Sequence, residues 1–117
     1  MGKRNQIDQE HWSEYLGEIA RTKRGWLVAV EVVSRHEVLT KPEIGLPAMG
    51  TPLIALEYEP PTKGDKIIIS VGQETVDYEH AIDGPTELVE NLDAYGRLSS
   101  LEILDQMEVC TRINFFD

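Results

Sequence analysis

The sequence predicts an α+β fold: one N-terminal amphipathic helix, then a mainly antiparallel, strongly curved or barrel-like sheet of about seven strands. Three observations predict it. Residues between Ile7 and Gly25 follow a helical period, everything after Gly25 alternates with period two in short runs, and the links between runs are too short for parallel crossovers. With 117 residues there is material for one core, so residues 1–117 are expected as a single domain: 1–7 a disordered tail, 8–24 the helix, 25–117 the sheet. One helix cannot cover a sheet of that size, which is why curvature or near closure is expected.

The helix rests on Trp12, Tyr15, Leu16, Ile19 and Ala20, an i, i+3, i+4, i+7, i+8 stripe. Asp8 is placed to cap its start, Ile7 and Trp12 to form a hydrophobic staple, and Gly25 to end it in the left-handed conformation. Trp26 to Val33 alternates, with Trp26, Val28, Val30 and Val32 on one face and Glu31 as the only charge on the other, so this strand is expected to be central. Thr40 to Pro52 is rich in Gly and Pro and reads as a packed connector or flap rather than a regular strand. Strands resume at Leu53–Glu59 and Lys66–Val71, where Ile67, Ile69 and Val71 share a face. Val76 to Ile82 places Val76, Tyr78, His80 and Ile82 inward, with Asp77 and Glu79 toward water. Further strands are expected at Glu87–Leu92, Leu98–Leu104 and Val109–Phe116; the first of these also suits a turn and a half of helix, and strand is preferred.

Charge narrows the function classes. The net charge is −10, and between Ile67 and Gly96 there is no Lys or Arg, only Glu74, Asp77, Glu79, Asp83, Glu87, Glu90 and Asp93. Such a stretch repels phosphate, and the one dense basic run, Arg21-Thr22-Lys23-Arg24, falls in the last turn of the helix, where cations complement exposed carbonyls. No nucleic-acid partner is expected. No apolar run approaches the length that spans a bilayer and no secretory leader is legible, so no membrane partner is expected and the predicted location is cytoplasmic. The single Cys110 fits a reducing compartment and reads as a packed strand thiol.

Three segments carry a resemblance: Trp12-Ser13-Glu14-Tyr15-Leu16, then Arg24-Gly25-Trp26-Leu27-Val28-Ala29-Val30-Glu31-Val32, then His80-Ala81-Ile82-Asp83-Gly84-Pro85. Together they resemble a family of small bacterial proteins known only as a domain of unknown function, with the match spanning nearly the whole chain. The resemblance implies a bacterial cytoplasmic protein of similar fold and brings no activity, substrate or catalytic residue. Where a Gly is expected in the last hairpin, this chain has Asp105-Gln106-Met107-Glu108.

Candidate chemistry is sparse. His11, His36 and His80 lack the spacing of metal ligands, so no metal and no cofactor are expected. No Gly-rich phosphate cradle opens a helix, and no serine sits in a nucleophile elbow. His80 is the inward titratable group on a well-patterned strand and could pair with Glu31 or Asp83 as acid and base. Trp26, Tyr58 and Tyr78 could line a small-molecule cavity. The expected function is a non-catalytic module binding a small ligand or a protein, with a small enzyme using His80 as the alternative. Adjacent Phe115 and Phe116 point to opposite faces of their strand, which leaves one of them exposed and makes a homodimer a further expectation.

Overall fold

Period-two alternation after Gly25 becomes an antiparallel sheet, and the computed structural model describes residues 2–34, 40–42 and 50–116 of it and of the segment before it. The elements in chain order are β1 (Lys3–Ile7), α1 (Trp12–Thr22), β2 (Leu27–Ser34), β3 (Thr40–Pro42), β4 (Thr51–Glu59), β5 (Lys66–Val71), β6 (Tyr78–Asp83), β7 (Pro85–Leu92), β8 (Leu98–Asp105) and β9 (Val109–Phe116). The strands lie in the order β1-β7-β8-β9-β2-β4-β5-β6, with β3 paired to β2 off this path. The fold is thus α+β with one short N-terminal helix. The strand path is open, its ends β1 and β6 not pairing with each other among the described residues.

β2 is central, as its apolar pattern requires. It pairs with β9 over eight positions, from Leu27↔Phe116 to Ser34↔Val109, and with β4 through Leu27↔Pro52 and Val28↔Thr51. Its Val28 and Val30 are fully buried with Leu53, Leu56, Ile67, Ile69, Val71, Ile82, Leu88, Leu101, Ile103 and Ile113 in one core cluster. Ile67, Ile69 and Val71 are buried on one face of β5 as expected. Glu87–Leu92 lies in strand β7.

Trp12 and Leu16 are the buried pair of α1, and the helix packs on β4, where Trp12 meets Tyr58 edge to face at 5.1 Å between ring centres. Between Ile7 and Trp12, expected to form a hydrophobic staple, the structure has a hydrogen bond, the indole Nε1 donating to the Ile7 carbonyl at 2.8 Å. Gly25 takes the left-handed conformation at φ +87°. In the last turn Arg21 pairs with Glu18 and the Lys23 ammonium lies 3.8 Å from the centre of the Trp26 ring. No helix among the described residues is long and apolar enough to cross a membrane.

Two turns share one construction. In Asp93-Ala94-Tyr95-Gly96 and in Asp105-Gln106-Met107-Glu108, the Asp Oδ1 accepts two backbone N–H groups, from Tyr95 and Arg97 and from Met107 and Val109. The fourth residue of each is left-handed, Gly96 at φ +80° and Glu108 at φ +62°. Glu108 therefore occupies the backbone state in which a Gly was expected, held there by the Asp105 carboxylate, and the hairpin register is Leu104↔Cys110 and Ile103↔Thr111.

Several boundaries depart from the sequence reading. Residues 3–7, expected in a disordered tail, form β1, paired with β7 from Lys3↔Leu92 to Ile7↔Leu88. KRNQI has one apolar residue, so strand periodicity cannot reveal it; pairing to β7 and the bond from Arg4 to Glu102 hold it. Thr40–Pro42, expected as irregular, forms the short edge strand β3, a place where proline is tolerated because one strand edge needs no donor. Residues 43–49 of that passage lie outside the described residues. Among the described residues the sheet accordingly has nine strands rather than about seven. The helix begins at Trp12 after a 3-10 turn at Gln9–His11, and Asp8 makes no side-chain capping bond. Its carbonyl instead accepts the His11 N–H at 2.9 Å. Val76 precedes β6 and is exposed rather than inward.

Two glycines should respond oppositely to alanine. A Cβ on Gly17, inside α1, meets nothing within 4 Å, so Gly17→Ala should stabilise by about 0.5–1 kcal/mol. Gly50 has φ +93° and its Cβ would stand 2.9 Å from the Val28 carbonyl oxygen, so Gly50→Ala should destabilise by at least ~1–2 kcal/mol from backbone conformation alone. Urea denaturation of both variants reads the two signs; equal signs contradict these placements.

Candidate functional site

A groove of about 530 Å³ lies where β1 ends and α1 passes. Helical spacing builds its first wall: His11, Glu14, Tyr15 and Glu18 recur at i, i+3, i+4 and i+7 and so share one flank of the helix. Gln6, Ile7 and Asp8 build the other. Ile7 and Tyr15 are half-buried and pack against the core, while the remaining groups are exposed to solvent. The groove is thus a mainly apolar trough bordered by Asp8, Glu14 and Glu18, with His11 as the titratable nitrogen.

Its geometry is braced from below. The Tyr15 hydroxyl donates to Glu90 Oε2 on β7 at 2.7 Å, and Glu90 Oε1 accepts from Asn5 Nδ2 on β1 at 3.2 Å. One carboxylate therefore ties helix, edge strand and sheet together. Burial, then the hydrogen bond to Glu90 and the charge of that carboxylate, raise the Tyr15 phenol above the usual tyrosine range.

Glu102 performs a similar service on the outer face. Its side chain is 11% exposed, and it accepts from Arg4 on β1, from Arg112 Nη2 at 3.1 Å and from Asn91 Nδ2 at 3.2 Å. Glu31 lies in cross-strand register with Arg112 on this same face. Nearby, burial pushes the Cys110 thiol up, with Arg112 and Arg4 pulling partly the other way, which leaves less thiolate for nucleophilic chemistry.

The residues singled out from sequence are distributed over several places. His80 shares its strand face with Tyr78 and the buried Ile82, whereas Glu31 lies on the face of β2 opposite the buried Val28 and Val30. The pleat thus points His80 inward and Glu31 outward, and does not bring them together. His80 and Asp83 do border one cleft of about 310 Å³, together with Asp105, although Asp105 is engaged by the turn described above. Trp26, Tyr58 and Tyr78 all pack against the common core cluster. Tyr58 also accepts from Gln9 Nε2 at 2.8 Å and borders a cleft of about 520 Å³ with Glu10, Pro60 and Pro61. His36 lies outside the described residues.

Sequence reading missed the groove. Tyr15 was visible as part of the apolar stripe, and Glu14 and Glu18 flank it at helical spacing, but nothing local announces that β1 lies alongside. Asp8, Glu10 and His11, exposed at the 3-10 turn and its cap, bring three donor atoms within 4.8 Å of one another; the pattern is local, one histidine beside two carboxylates, and the spacing between histidines does not reveal it.

The raised Tyr15 value fixes a sign for alkaline stability. A folded pKa above the unfolded value means the contribution is whole below the ordinary tyrosine value of about 10 and is lost as pH rises through the folded value. In a spectrophotometric titration Tyr15 should ionise only with alkaline unfolding, so Tyr15→Phe should remove that step. A Tyr15→Phe variant that instead loses an ionisation below the unfolding pH would contradict the burial of Tyr15.

No curated protein and no solved structure matches the chain. A family model does match, over residues 3–116, a span that includes β1 and the groove as well as the sheet. The chain belongs to the family of unknown function DUF5335.

Proposed function

We propose that this protein is a non-catalytic protein-interaction module of a bacterial cytoplasm, built on a strongly curved sheet, and that a partner docks in the groove between β1 and α1. The observation that carries the reading is the coincidence of a mainly apolar trough of about 530 Å³ with an edge strand that pairs with β7 alone among the described residues. An edge strand offers backbone donors and acceptors to an added strand, and an adjacent trough receives alternate side chains of that strand. Curvature is supported by the run from β6 through Gly84 into β7, which pairs with β5 on one side of the glycine and β8 on the other. The single free thiol fits a reducing compartment.

A photo-crosslinking residue in place of Glu14, on the groove, tests this against the same residue in place of Glu57, an exposed position on β4. In living cells the Glu14 position should form a discrete protein adduct and the Glu57 position should not. Equal labelling at both, or none at Glu14, overturns the proposal.

A further inference from the structure

We infer that the occupant of this groove is an extended segment of a partner protein that carries cationic side chains at alternate positions, a deepening that rests on the docking reading above. Spacing is the first support. Glu14 and Glu18 stand one helical turn apart, about 6 Å along the axis, and alternate residues of an extended strand recur every ~6.6–6.8 Å on one face. Two cations at i and i+2 of such a segment match the two carboxylates.

Chemistry of the walls is the second. Ile7 and Tyr15, which line the trough, offer apolar surface to the methylene stems of lysine or arginine. The phenol is held in place by its bond to Glu90. Charge complementarity is the third. Asp8, Glu14 and Glu18 border the trough against His11, and Arg21, the cation paired to Glu18, belongs to an exposed pair whose side chains are 70% and 57% accessible. Exposed pairs of this kind contribute little and exchange readily for another cation. The net charge of −10 draws a basic partner from a distance.

Three N-acetylated, C-amidated octapeptides test the inference: alternating Lys–Thr, Glu–Thr and Ser–Thr. Each is titrated into the full chain and into the Glu14→Gln/Glu18→Gln double variant, followed by amide chemical shifts. Both substituted residues are exposed, and unchanged shifts of core amides such as Leu101 and Ile113 verify the fold of the variant. Lys–Thr should move the amides of Ile7, Asp8, Tyr15 and Glu18, with affinity falling roughly five- to tenfold in the double variant and again as salt rises from about 20 to 200 mM. Groove binding by Glu–Thr or Ser–Thr as tight as by Lys–Thr overturns the cation inference and leaves the docking reading standing. Shifts confined to the acidic stretch around Glu74, Asp77 and Glu79, or none from any peptide, overturn the inference, and the adduct at Glu14 then decides separately whether the docking reading falls with it.

Discussion

Gly84 is the point at which the chain passes from one part of the sheet to the other. Its φ of +61° lets one run of chain leave β5 as β6 and join β8 as β7, and its two backbone groups are bonded to opposite halves of the sheet. The Gly84 N–H donates to the Asp65 carbonyl in the β4–β5 turn, and the Gly84 carbonyl accepts from Gln106 in the β8–β9 turn, at 2.9 and 3.0 Å. A Cβ here would stand 2.8 Å from the Gln106 side chain. Among the described residues, the other join between these parts along the strand path is the two-residue pairing of β2 with β4. One corner and one short pairing thus join β4, β5 and β6 to the other strands, and residues of both parts meet in one core cluster with Trp12 and Leu16 of α1.

The polar ties around that core follow a common logic. Glu90 and Glu102 are half-buried carboxylates on opposite faces of the β7–β8 region, and each is satisfied by donors from more than one element. Charged groups drawn out of water are stable when several donors share the charge. Both also receive a donor from β1, Asn5 for one and Arg4 for the other. An edge strand with almost no apolar burial is thereby fixed in register by side-chain hydrogen bonds on both of its faces.

How much of this was legible depends on whether the signal was local. Ile67, Ile69 and Val71 alternate, and the helical stripe from Trp12 to Ala20 repeats, so β5 and α1 could be read directly. The exposed Phe116 beside the buried Phe115 follows from the pleat alone. β1 was illegible because its stability comes from partners some 85 residues away, and β3 because proline chemistry masks a three-residue edge pairing. Asp8 has the chemistry of a helix cap, yet the 3-10 turn that follows it takes up its carbonyl instead. For His80 and Glu31 the period-two pattern did establish on which face each lies; what it could not supply was the strand order, in which β4 and β5 stand between β2 and β6. The groove needs both a local pattern, Glu14-Tyr15-Glu18, and a distant strand, and only the first is carried by neighbouring residues of the sequence.

The long-range pairing of β2 has a consequence for biosynthesis. Eight positions on one edge of this central strand are matched to residues 109–116, while β3 and β4 pair along the other edge, so a nascent chain carries an apolar strand with the first edge open until nearly all of the domain has been translated. β1 likewise waits for residues 88–92. Native assembly of both strands therefore follows synthesis of most of the sequence, and the interval before it is one in which the open edge of β2 must be kept from other chains.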